Sequence, residues 1–111
     1  MRSASQVRHG APIFAALGDE TRLRLVDKLS TTGPLSIVRL TEGEDMTRQA
    51  ITKHLAVLAD AGLVRGIRRG RERLWELEAS PLEVARRYLD RVSQRWDAAL
   101  ARLARHVETD D

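Results

Sequence analysis

A mainly α fold carrying one small β-hairpin and a long C-terminal helix is predicted for this 111-residue chain. Three features predict it. Residues 47–61 form a capped stretch with an apolar face and a polar face. Residues 63–77 then read as two short strands around an arginine-rich tip, Arg69-Gly70-Arg71. Beyond Ser80-Pro81 an apolar residue recurs at spacings of three and four for more than twenty residues. The size suits one domain with a modest core. Aromatic residues are only 4% against 42% hydrophobic overall, so Leu, Val, Ile and Ala must build that core.

Taken from the N-terminus, Met1–Gly10 is polar and is expected to be a disordered tail, with the folded domain spanning 11–111. Pro12 suits the first turn of a short helix over Ile13–Leu17, which Gly18 ends. Asp19 is placed to cap a second helix from Glu20 to Leu29 or Ser30, with Leu23, Leu25, Val26 and Leu29 as its apolar residues. Gly33-Pro34 breaks the chain. A short third helix over 36–41 turns Ile37, Val38 and Leu40 inward, and residues 42–45 form a turn.

Thr47 is the N-cap expected for the fourth helix, residues 48–61. Ile51, Leu55 and Leu58 make its buried stripe, leaving Arg48, Gln49, Thr52, Lys53 and Ala56 on the other side. Gly62 suits the position just past its end. The strands 63–69 and 72–77 follow. Ser80-Pro81-Leu82-Glu83 combines a Ser cap, a first-position Pro and a third-position Glu, and so starts the last helix, 81–106. At ~1.5 Å per residue that helix is on the order of 35 Å long, more than a domain this small needs. Leu82, Ala85, Leu89, Val92, Trp96, Ala99 and Leu103 form a heptad seam along it.

Charge points to the partner. Net charge is +3, but residues 65–73 hold five Arg (65, 68, 69, 71, 73) against one acid, Glu72, a local 5 − 1 = +4. A concentrated positive patch beside a helix with an exposed polar face suits a polyanion, double-stranded DNA above all. Without cysteine, disulfides and thiolate metal sites are excluded. No apolar run approaches a membrane span or a signal peptide, so a cytoplasmic protein is expected. Nothing resembles catalytic machinery: there is no Cys nucleophile, no glycine loop for phosphate and no evident Ser–His pairing. We expect no enzyme activity, cofactor or bound metal.

The order of elements, and two sequence signatures, resemble the winged helix–turn–helix regulators of the ArsR/SmtB family. Ala16-Leu-Gly-Asp-Glu-Thr-Arg-Leu-Arg-Leu25 is similar to that family's opening signature. Thr47–Val64, with Thr52-Lys-His-Leu55 and Leu58-Ala-Asp-Ala-Gly-Leu-Val64, is similar to its recognition-helix signature, and Arg69-Gly70-Arg71 to its wing tip. The likeness spans roughly residues 11–105. Metal-sensing members carry a Cys-x-Cys pair in the third helix, and Ser36 and Val38 stand there in this chain. A second family site on the last helix uses Asp, His and Glu ligands, whose spacing Asp90, Asp97, His106 and Glu108 do not match. The resemblance is therefore to cysteine-free members that do not sense metal.

The resemblance implies a homodimeric transcriptional regulator, a repressor, that reads a pseudo-palindromic operator. Helix 48–61 would enter the major groove, and the 65–75 wing would lie on the backbone or minor groove. Thr47, Arg48, Gln49, Thr52, Lys53 and His54 are then the candidate DNA contacts on the helix, and Arg68, Arg69, Arg71 and Arg73 those on the wing. For each there is a plainer reading: a solvated polar face for the helix, and a charged hairpin that stays soluble and protects its edge for the wing. His54, at the border of the apolar stripe, suits either internal packing or a phosphate contact. Trp75 reads as wing-to-core packing. Dimerisation falls to the 82–103 seam with Trp96 at its centre, helped by Ile13, Phe14 and Leu17. An alternative is a basic winged module that binds an acidic protein or any DNA. No small-molecule effector is indicated.

Overall fold

The computed structural model describes residues 2–109. Its elements in chain order are α1 (Arg2–Leu17), α2 (Glu20–Thr32), α3 (Ile37–Thr41), α4 (Arg48–Asp60), β1 (Val64–Arg69), β2 (Glu72–Leu77) and α5 (Ala79–Thr109). Met1, Asp110 and Asp111 lie outside the described residues.

Local signals set most boundaries. Asp19 caps α2 by accepting the Arg22 N–H at 3.0 Å, and Thr47 caps α4 by accepting the Ala50 N–H at 3.1 Å. At the end of α4, Gly62 adopts a φ of 75°. The Gly62 N–H donates to the Ala59 carbonyl and the Leu63 N–H to the Leu58 carbonyl, each at 2.9 Å. This is the Schellman arrangement, and it turns Leu63 back onto Leu58 with both side chains fully buried. β1 and β2 pair antiparallel from Val64↔Leu77 to Arg69↔Glu72. Gly70, with φ of 62°, takes the first central position of the two-residue turn, as a type II′ hairpin requires. Leu35 adds one bridge to the outer side of β2: its N–H and carbonyl exchange hydrogen bonds with Trp75 at 3.0 and 2.8 Å.

Leu25, Leu40, Ile51, Leu55, Leu58 and Leu63 form the fully buried centre, with Ile13, Ala16, Leu29, Val64 and Ala85 around it. Four expectations need correction. The helix expected over Ile13–Leu17 begins at Arg2, so residues 2–10, expected as a tail, are helical. Pro12 lies inside α1 rather than at its start; it forgoes one backbone bond, but Gly10, Ile13 and Ala16 recur on one buried face, and α1 packs along α5 there. Leu23 is half-exposed, because the inward stripe of α2 is Thr21, Leu25 and Leu29 at spacings of four and Leu23 falls outside it. Val38 is also exposed, whereas Ile37 packs on the core and Leu40 is buried in it.

The last helix starts at Ala79, two residues before Pro81, and runs 31 residues, about 46 Å at ~1.5 Å each. Pro81 still falls in the first turn, where a missing N–H costs nothing. The two halves of α5 differ. Ala85 is buried, Leu82 packs on the core, and the Tyr88 ring meets Phe14 of α1 at 5.6 Å and 59°. From Ser93 to Glu108 every residue but Ala99 is exposed, including Trp96, Leu100, Leu103 and Val107. No helix of the described residues is long and apolar enough to cross a membrane.

Candidate nucleic-acid interface

α4 presents Arg48, Gln49, Thr52 and Lys53 to solvent, while Ile51, Leu55 and Leu58 are fully buried on its other side. The predicted division of this helix therefore holds residue by residue. Thr47 is exposed, but its hydroxyl oxygen is engaged as the cap. Arg48, Gln49, Thr52 and Lys53 line one open groove together with Ile37 of α3. Thr52 donates its hydroxyl hydrogen to the Arg48 carbonyl at 2.8 Å.

His54 is placed differently. Its side chain is 22% exposed and turned toward α2, where Nδ1 lies 3.3 Å from Arg22 Nη1 and 3.7 Å from Asp19 Oδ2. Of the two readings open for this residue, internal packing is the one its contacts support. Arg22 is the hub of this cluster. Its Nε donates to the Ala16 carbonyl at 2.5 Å and its Nη2 to the Ala15 carbonyl at 3.4 Å. One guanidinium thus ties the C-terminus of α1, the start of α2 and the middle of α4. The backbone hydrogen bond from Arg22, more than any other influence, holds the Asp19 carboxyl below its ordinary range. Asp19 and Arg22 belong to one quoted signature and His54 to the other. That these two stretches meet is a tertiary fact with no trace in the spacing of either.

The wing sorts its arginines by partner. Arg65 Nε lies 2.8 Å from Glu76 Oε1 and 2.6 Å from Glu78 Oε1, and those carboxylates raise its already high pKa. Arg68 and Arg73 stand directly opposite each other across the hairpin. Arg73 lies back over the Trp75 ring, 4.8 Å from its centroid, with its guanidinium against Gly66. Trp75 itself packs on the core, as expected. Among the described residues, Arg48 and Lys53 of α4 and Arg68, Arg69 and Arg71 of the wing enter no ion pair and are exposed. Uncompensated positive charge therefore sits on the helix face and the hairpin tip.

The dimerisation candidates divide as well. Ile13 (6% exposed) and Ala85 (5%) are buried in the chain's own core. α1 lies against α5, with Phe14 meeting Tyr88. Phe14, Leu17 and Leu82 are half-buried against the same core. Leu89 (53%), Trp96 (63%) and Leu103 (61%) remain exposed, one heptad apart.

Comparison with known proteins agrees with this geometry. A family profile described as a helix-turn-helix domain matches residues 17–67. The HTH-type transcriptional regulator YuzN of Bacillus subtilis is 46% identical over 77 residues, covering 64% of this chain and 84% of that protein. The HTH-type transcriptional regulator Rv2034 of Mycobacterium tuberculosis is 34% identical over 97 residues, 87% of each chain. Among solved structures, an ArsR-like transcriptional regulator from Rhodococcus superposes with a TM-score of 0.73 at 34% identity, covering 89% of this chain and 92% of that one. The chain belongs to the ArsR-type winged helix–turn–helix regulators. It is a DNA-binding transcriptional regulator. Within this family the chain is cysteine-free, and among the described residues no cluster of three or more His, Asp or Glu could hold a metal ion.

Proposed function

We propose that this regulator acts as a homodimeric repressor, with α4 of each copy in successive major grooves of a pseudo-palindromic operator and the wings on the flanking backbone or minor groove. The observation that carries the proposal is the contrast in pairing. Among the described residues, Arg48, Lys53, Arg68, Arg69 and Arg71 are exposed and without a carboxylate, whereas Arg65 is held by two. Gln49 can pair an adenine bidentately, Arg48 a guanine or a phosphate, and Arg69 and Arg71 flank the tip that meets phosphates. His54 takes an indirect part through Arg22 and Asp19.

The dimer rests on α5. Leu89, Trp96 and Leu103, with Leu100 and Val107 beside them, make an exposed apolar stripe along this helix. A second copy across a two-fold axis buries that stripe and sets the two α4 helices about one duplex turn, ~34 Å, apart. Repression comes with family membership, since a bound dimer blocks polymerase; no residue encodes the sign. A cytoplasmic location belongs to the same proposal because DNA is the target.

Fluorescence anisotropy tests it, using the purified protein with its own upstream DNA and with a scrambled duplex over a salt series. A strong preference for the upstream DNA is expected, with log affinity falling by about 0.9 per unit of log salt for each phosphate neutralised. Equal, weak binding to both duplexes overturns the proposal. Trp96→Ala is expected to weaken self-association, by at least about 2 kcal/mol if Trp96 is the anchor, and to weaken DNA binding with it. A mutant that stays dimeric in sedimentation and binds normally refutes the seam.

A further inference from the structure

The groove beside α4 mixes aliphatic and polar lining side chains. Ile37 of α3 and Thr52 of α4 line it with Arg48, Gln49 and Lys53. A threonine hydroxyl has one hydrogen, and that of Thr52 is given to the Arg48 carbonyl at 2.8 Å. The side chain therefore has no donor to offer a base, and its Cγ2 methyl is its free end. Ile37 adds only aliphatic surface. Charge on the rim suits a polyanion: Arg48 and Lys53 are exposed cations without carboxylate partners among the described residues.

We propose that Thr52 Cγ2 and Ile37 form a contact for the 5-methyl group of thymine in the major groove. This rests on α4 being the DNA-reading helix and specifies what it reads. Thymine is the one base that presents a methyl group there, the group that aliphatic side chains suit. Gln49, three residues before Thr52, supplies the bidentate amide that suits adenine. The pair of features selects a step rich in A·T at the centre of each half-site.

The test starts from duplexes selected from a random pool by the full-length protein. The best duplex is resynthesised with each thymine replaced singly by deoxyuridine, which removes only the methyl group. One or two substitutions per half-site are expected to weaken binding about fourfold, the value of one buried methyl. Thr52→Ser keeps the hydroxyl and loses the methyl, so it should bind the thymine and deoxyuridine duplexes alike. Thr52→Val keeps methyls and should preserve the difference. Circular dichroism confirms that both variants fold. If every deoxyuridine duplex binds like its parent, or if Thr52→Ser retains the full difference, the inference is wrong. If selection returns no preferred sequence, the reading of α4 itself fails, and the methyl contact falls with it.

Discussion

Two arginine-bearing regions of this chain use the same residue in opposite ways. Around the α2–α3 junction, Glu44 takes Arg24 Nη2 at 2.9 Å and Lys28 Nζ at 2.9 Å, with its own side chain 3% exposed. Lys28 also donates to the Leu40 and Glu42 carbonyls at 3.0 and 2.9 Å, closing the end of α3. Each of these three charges has a partner inside the chain. On α4 and the wing tip, Arg48, Lys53, Arg68, Arg69 and Arg71 have no carboxylate partner among the described residues. The first region holds the domain together and contributes nothing to a ligand. The second leaves its charge open to a partner outside the chain. Net charge alone does not distinguish them; pairing does.

The largest effect is expected in the paired region. Glu44→Gln removes a buried partner from two cations, and we expect a loss of roughly 1–3 kcal/mol, below the cost for a fully buried pair because Arg24 and Lys28 keep some water. The hydrogen bond from Arg24, then that from Lys28, depresses the Glu44 pKa below its ordinary 4.5. A depressed carboxylate stabilises the fold above its unfolded pKa and loses that contribution as pH falls through the folded value. Urea unfolding should therefore show the wild type losing this margin only below about pH 4.5, while Glu44→Gln lacks it at neutral pH. Equal stability of the two proteins at pH 7 would mean that the pairing is idle.

Arg22 sharpens the comparison because it is paired yet touches α4. Arg22→Met should cost about 1–2 kcal/mol of stability, since it leaves the Ala16 carbonyl and His54 without this donor and the Ala15 carbonyl with only the Gly18 N–H. It should also blunt sequence discrimination in DNA binding more than Arg69→Ala combined with Arg71→Ala does. If discrimination survives intact, α4 is positioned without Arg22.

For the unpaired set, Arg69→Ala with Arg71→Ala should leave stability within about 0.5 kcal/mol while lowering DNA affinity. The salt slope should fall by about 1 for each phosphate that is no longer neutralised. Unfolding and anisotropy on the same samples separate the two effects, and a stability loss without a slope change would reverse our assignment of the wing tip. The smallest effect belongs to Arg65→Ala. Its ion pairs are on an exposed hairpin, worth about 0–1 kcal/mol, and because its charge is already neutralised by Glu76 and Glu78 the salt slope should not move.

Much of the reading apparatus is legible in the sequence because its signals are local. Thr47, the Ile51–Leu55–Leu58 stripe, Gly62 and Gly70 each act on the few residues beside them, so the boundaries of α4 and of the hairpin follow from spacing. The signals that mislead are also local. Pro12 suggests a helix start that packing against α5 overrides. Leu23 and Val38 suggest core positions because they are apolar, although the arc a helix buries depends on what lies opposite.

The sequence by itself determined the element types, the capped reading helix, the glycine-dependent turns and the family, because these depend on backbone preferences and periodicities within a turn or two. Only the tertiary structure decided which charges are neutralised and which residues of a seam are already used. Spacing carries no sign that Glu44 binds Arg24 twenty residues away, or that Arg22 reaches His54. Nor does it separate Ile13 and Ala85 from Leu89 and Trp96, which are equally apolar. Burial and pairing are properties of what the folded chain sets across from a residue, and that neighbour is distant in sequence.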